Sequence, residues 1–270
     1  MSLGIQRLGG VAVFARDPAA AAAFASDTLG FNVAGAGEDG SQRLVGHGGP
    51  DPIDLVYLPG EAPGMHHASF VVADSIAPLA ESLNAAGYAH EREADQKVAV
   101  VSPGGHRMHF VVGAATAKPA AAIAPVPVTA APVCADHVGL TVVDLDAEVA
   151  FATEGLGMLE SARVGDQTVH LRFPGRFGFQ QLVLTRGDAP GVDHLQFTMK
   201  NLDQFYALAG RVPVERGPLR HGPGHIVALY VRDPEGYALE FSTEEEMILD
   251  DAHFVPRTWA ADDPRVDDEW

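Results

Sequence analysis

Short apolar runs alternate along this chain with turns marked by glycine and proline, and the pattern reads as strands with a few helices between them. It is clearest in the second half. The run His137 to Val143 reads as a strand, and a helix follows that starts near Asp144, a capping residue, and stops at Gly157. Strands are predicted near 158–164, 167–173 and 179–184. A strand from 193 then leads into a helix near 201–211, and strands return near 226–232 and 237–242. The order is a strand, a helix and three strands, twice over.

The first half repeats the second. Asp17, Phe24 and Gly30 answer to Asp144, Phe151 and Gly157 at a constant offset of 127. The same offset carries Pro63-Gly-Met-His-His67 onto Pro190-Gly-Val-Asp-His194. Near the end of each half it becomes 131, carrying Pro103-Gly-Gly105 and His109 onto Pro234-Glu-Gly236 and Glu240, as a net insertion of four residues would do. The expected class is α+β, with four βαβββ modules in two domains, 1–115 and 134–270. Residues 116–133, rich in Ala and Pro, read as a stiff linker.

Composition narrows the function classes. Lys and Arg total 18 against 36 Asp and Glu, a net charge of −18, and a field of that sign repels nucleic acid and anionic membrane surfaces. Much of the acidity is in the C-terminal tail, at Glu244 to Glu246, Asp250, Asp251, Asp262, Asp263 and Asp267 to Glu269. The single cysteine, Cys134, leaves no internal disulfide and reads as a small core residue in a reducing compartment. No secretory signal or membrane span is visible, so a cytoplasmic protein is expected.

Three polar residues stand out inside apolar strand runs: His137, His194 and Glu240. Two neutral imidazoles and one carboxylate are the ligand set of a divalent iron site that keeps positions open for O2 and a substrate. At the positions of His194 and Glu240 the first half has His67 and His109, but at that of His137 it has Gly10. A site with two ligands is read as vestigial. His66 is expected to point to the opposite face of its strand from His67.

The stretch from Arg220-His221 through Tyr230, Asp233-Pro234-Glu-Gly236 and Glu240 resembles the vicinal oxygen chelate superfamily, and most of all its type I extradiol ring-cleaving dioxygenases. The resemblance implies that each domain is an incomplete β-barrel around a cleft. It further implies a metal in the second domain held by His137, His194 and Glu240, Fe(II) with Mn(II) as the alternative. Tyr230 would donate a hydrogen bond to a reacting oxygen, and His221 would hold a substrate hydroxyl. The implied partners are a small aromatic diol, O2 and further copies of the chain, with neither nucleic acid nor membrane.

One position departs from that pattern. The family carries an acid–base histidine about fourteen or fifteen residues before the second metal ligand, where this chain has Gln180 and Gln181. An amide donates and accepts hydrogen bonds but takes no proton near neutral pH. Losing such a group costs on the order of 10²–10⁴ in rate unless His170 or His221 substitutes. The reading is an extradiol-type dioxygenase. The alternatives are a non-oxidative glyoxalase-like isomerase or lyase using another divalent metal, and a ligand-sequestering binding protein.

Overall fold

The computed structural model describes residues 3–93, 95–113, 130–175 and 177–270. The proposed linker lies outside these residues except at its last positions, and 132–133 already belong to a strand. The first half comprises β1 (Ile5–Ala15), α1 (Pro18–Phe24), β2 (Asn32–Ala36), β3 (Gln42–Val45) and β4 (Leu55–Pro59), then β5 (Gly64–Val72), α2 (Ala77–Ala85), β6 (His90–Glu93), β7 (Lys97–Val101) and β8 (Arg107–Val112). The second half comprises β9 (Pro132–Val142), α3 (Leu145–Ala150), β10 (Leu159–Val164), β11 (Thr168–Arg172) and β12 (Leu182–Arg186). Then come β13 (Gly191–Met199), α4 (Leu202–Ala209), β14 (Val214–Arg220), β15 (Val227–Arg232), β16 (Ala238–Thr243) and β17 (Arg257–Trp259).

Each half folds into one mixed sheet, and neither sheet closes into a barrel. The orders are β2-β3-β4-β1-β5-β8-β7-β6 and β14-β15-β16-β13-β9-β12-β11-β10-β17. Two modules join in each sheet where their first strands pair antiparallel, β1 with β5 and β9 with β13. This is the pairing of four modules in two sheets that the sequence repeat implies.

The repeat reaches local detail. Asp17 and Asp144 cap α1 and α3 by accepting from the N–H of Ala20 and Ala147, both at 3.0 Å. Each helix then loosens into a π-helical turn, at 25–29 and 151–155. Gly30 and Gly157 follow at φ of 86° and 65°, a left-handed backbone that a side chain would strain.

The repeat calls for a third strand in the last module without placing it, and β17 has no counterpart in the sequence reading. β14 is mostly exposed and carries no alternation, so the ladder with β15 holds it as a strand. β17 comes from the tail and adds itself in parallel to β10. Among the described residues, no helix is long and apolar enough to cross a membrane.

The main hydrophobic core runs through both halves, including Phe70 and Phe110 of the first and Phe173, Phe197 and Phe241 of the second. Polar contacts across the seam converge on the turn between β15 and β16. Tyr57 donates to Asp233 at 2.7 Å, and Glu235 accepts from the N–H groups of Arg16 and Asp17 at 2.8 and 2.9 Å. Tyr237 donates to the Phe14 carbonyl at 2.6 Å. The first half thereby grips the turn that leads directly to Glu240.

Candidate metal centre

The strands that carry His137, His194 and Glu240 are β9, β13 and β16, three neighbours at the middle of the second sheet. Their register sets the side chains facing one another: His194 lies opposite Gly139, and Gln196 opposite Glu240. A β-carbon at Gly139 would come 2.3 Å from the His194 ring, so glycine there makes room for the imidazole.

The three ligand atoms converge. His137 Nε2 is 2.9 Å from His194 Nε2 and 3.5 Å from Glu240 Oε2, and His194 Nε2 is 3.3 Å from the same oxygen. Neighbouring ligands at right angles around an ion, with bonds of ~2.1 Å, lie about 3.0 Å apart, so the donor set and its spacing fit one divalent cation. All three side chains are buried. Burial alone would push the Glu240 carboxyl up, but the hydrogen bond from His137 and the His194 ring hold it down at about 2. Burial pushes His137 down. It acts the same way on His194, where Asp193 and Glu240 outweigh it and raise the ring. The result is an ionised carboxylate facing two imidazoles, a place for a positive charge. Among the described residues this is the one group of three side chains arranged to hold a metal.

Asp193 is the contact that strand alternation missed. Consecutive residues of a strand face opposite ways, yet Asp193 Oδ2 lies 2.7 Å from His194 Nδ1. The register shifts between Val192 and His194, and the extra residue of this bulge swings its side chain beside the histidine. The matching shift in β5 corrects the expectation for His66, whose Nδ1 lies 2.6 Å from that of His67 instead of on the other face. His67 and His109 stack at 4.1 Å between ring centres. At Gly10 a β-carbon would come 2.8 Å from the Ile53 carbonyl oxygen, so there is no room for a side chain at the position that answers to His137.

A cavity of about 270 Å³ opens over the triad, lined among others by His170, Gln180, Arg216, His221 and Tyr230. Tyr230 sits directly across the ladder from Glu240. Its hydroxyl is 2.9 Å from His221 Nε2, and His221 Nδ1 is 3.1 Å from the Val266 carbonyl oxygen. The His221 ring therefore donates to the tail through Nδ1 and accepts from Tyr230 through Nε2. Burial pushes the Tyr230 phenol well up, so it stays a donor.

The two glutamines part company. Gln180 lines the cavity, where its amide bridges His137 Nδ1 at 3.3 Å and His170 Nδ1. Gln181 turns the other way and accepts from the Phe173 N–H at 2.9 Å, so its side chain is taken up by the backbone. His170 is held down to about 4, mainly by burial. The tail closes the rim: Val266 and Asp267 line the cavity, and Asp267 pairs with Arg216 at 2.5 Å.

A sequence profile of the Glyoxalase/Bleomycin resistance protein/Dioxygenase superfamily matches residues 135–241, which span all three candidate ligands. No curated protein sequence matches the chain. Among solved structures, the Mn(II)-bound glyoxalase from Novosphingobium aromaticivorans superposes with a TM-score of 0.86 at 22% identity, over 98% of this chain and 90% of that one. Homoprotocatechuate 2,3-dioxygenase from Arthrobacter globiformis gives 0.84 at 21%, over 100% and 88%. A halotolerant catechol dioxygenase gives 0.85 at 18%, over 100% and 94%. The second domain thus carries the signature of the glyoxalase, bleomycin resistance protein and dioxygenase superfamily, and the chain as a whole has the fold of its two-domain dioxygenases.

Proposed function

We propose that this protein is a metal-dependent extradiol-type dioxygenase that opens a catechol-like ring with O2. The observation that carries the reading is the convergence of His137, His194 and Glu240 beneath a cavity that also presents Tyr230 and His221. A divalent metal, Fe(II) or Mn(II), would be held by those three side chains and would bring diol and O2 into one coordination sphere. The solved dioxygenases of this fold support the reading. Self-association and a cytoplasmic setting belong to the same proposal, as does a vestigial first-domain site.

The chain's own groups have separable tasks. Glu240 stays ionised and, with the two imidazoles, supplies one negative charge against a dication. Asp193 fixes the His194 ring with its Nε2 toward the site. Tyr230 and His221 form a hydrogen-bonded pair at the wall, ready to exchange their mutual contact for one to a substrate oxygen. Of the two glutamines, Gln180 lines the cavity, which supports a role for it in the reaction. The three metal-site side chains are buried, which strengthens the charge interactions among them.

A glyoxalase-like reaction is the second reading. The Mn(II)-bound glyoxalase of the same fold favours it, as does an amide at the position where ring cleavage calls for an acid–base group. The deciding experiment is O2 uptake by protein reconstituted with Fe(II) without oxygen, against a panel of catechols. Stoichiometric uptake with a yellow ring-opened product is expected. A fully metal-loaded protein that consumes no O2 with any of them, yet turns over α-ketoaldehyde adducts, would replace this reading by the second.

A further inference from the structure

The Gln180 amide touches two imidazoles at once, and the chemistry of one determines that of the other. His137 presents Nε2 to His194 and Glu240, so a cation in that site takes Nε2. A neutral imidazole ligated through Nε2 must keep its proton on Nδ1, and that proton needs an acceptor. Among the described residues, the partner of His137 Nδ1 is the Gln180 amide. Its oxygen must therefore face His137, which turns its NH2 toward His170 Nδ1. As placed, the amide nitrogen is on the His137 side, but a half-turn about the last side-chain bond exchanges the two ends in the same space. His170 Nδ1, receiving an N–H, must then be the bare nitrogen. Burial keeps this ring neutral, so its one proton moves to Nε2. His170 lines the same cavity as the triad, and its Nε2 has no hydrogen-bond partner among the described residues.

We propose that Gln180 is a positioning residue that couples the metal ligand His137 to His170, so that loading the metal sets His170 as an Nε2–H donor to a substrate oxygen in the cavity. The amide thereby passes the donor function one residue outward to β11. The inference rests on the metal reading of the site and is indifferent to which reaction follows.

The test uses ¹⁵N-labelled histidine NMR on the whole protein with Zn(II) as a diamagnetic probe, and Mn(II) titration for affinity. In the wild-type chain, Zn(II) is expected to leave His170 protonated on Nε2 alone. Gln180→Leu removes the acceptor from His137 and is expected to weaken Mn(II) binding roughly 10–100-fold. Gln180→Glu offers oxygens to both rings. It is expected to hold Mn(II) within a few-fold of wild type while moving the His170 proton to Nδ1. Tight binding of Zn(II) with His170 protonated on Nδ1 in the wild type would overturn the coupling while leaving the metal site intact. So would Gln180→Glu with an unchanged His170 tautomer. A wild-type protein that binds neither Zn(II) nor Mn(II) would overturn the metal reading itself.

Discussion

A residue that contributes no ligand atom can still decide whether a metal site works. Asp193 holds the His194 ring through Nδ1, and Asp193→Ala is expected to lower Mn(II) affinity about 10–100-fold while the fold stays intact. His194→Ala is expected to abolish binding and His67→Ala to leave it unchanged, both read by equilibrium dialysis. Equal loss in both would move the site out of the second domain. His137, His194 and Glu240 were legible in the sequence because polar residues at matching points of apolar runs are costly unless they share a ligand. Asp193 was not, because a bulge is a property of two paired strands and strand period alone puts it on the wrong face.

Among the elements, the tail is where the hydrophobic pattern said least. Its aromatics anchor it against the second domain: Trp259 and Phe254 pack with Val164, Phe179 and Ile248. Its polar anchor is a contact from far along the chain. Arg172, 1% exposed, pairs with Asp251 at 3.0 Å and lies 4.7 Å from the Phe254 ring centre. Asp251→Ala leaves a buried guanidinium short of its carboxylate and is expected to cost about 3 kcal/mol. The cost should appear as faster cleavage of the native protein near Phe254 and Arg257, with the body of the protein resistant. Uniform proteolysis of the whole chain would mean that the tail is not a separate unit. Release should also open the cavity, since Val266 and Asp267 form part of its rim.

For the whole molecule, the first domain acts on the site from a distance. Tyr57 in the first sheet donates to Asp233 in the turn before Glu240, and both are buried. Tyr57→Phe leaves Asp233 without that donor and is expected to cost ~1–3 kcal/mol. The urea midpoint should fall at unchanged slope, with weaker metal binding as Glu240 loses its support. A lower midpoint with unaltered metal affinity would restrict the contact to stability. The first domain also sets an acid limit. Burial, and then neighbouring positive groups, hold His67 at about 3 and His109 at about 4. The unfolded chain takes up those protons near pH 6.5, so between roughly 6.5 and 3 the unfolded state binds more protons. Stability is full above that window and falls as the pH drops through it. Replacing both rings by Gln is expected to flatten the decline, measured as urea midpoint against pH.

The four-module repeat, the strand positions of the three ligands and the empty counterpart at Gly10 are legible in the order of residues alone. These are matters of period, offset and residue type, which survive without knowledge of what lies across the sheet. Which neighbours those residues meet depends on how the strands pack. Packing turned Gln180 into the cavity and Gln181 onto the Phe173 backbone, since adjacent extended residues diverge and only the packed strands say which way is in. It brought His170 to Gln180, made a strand of the mostly polar β14, and laid the tail along β10. Each of these depends on contacts between segments distant or unpatterned in sequence, and such contacts leave no periodic mark on the chain.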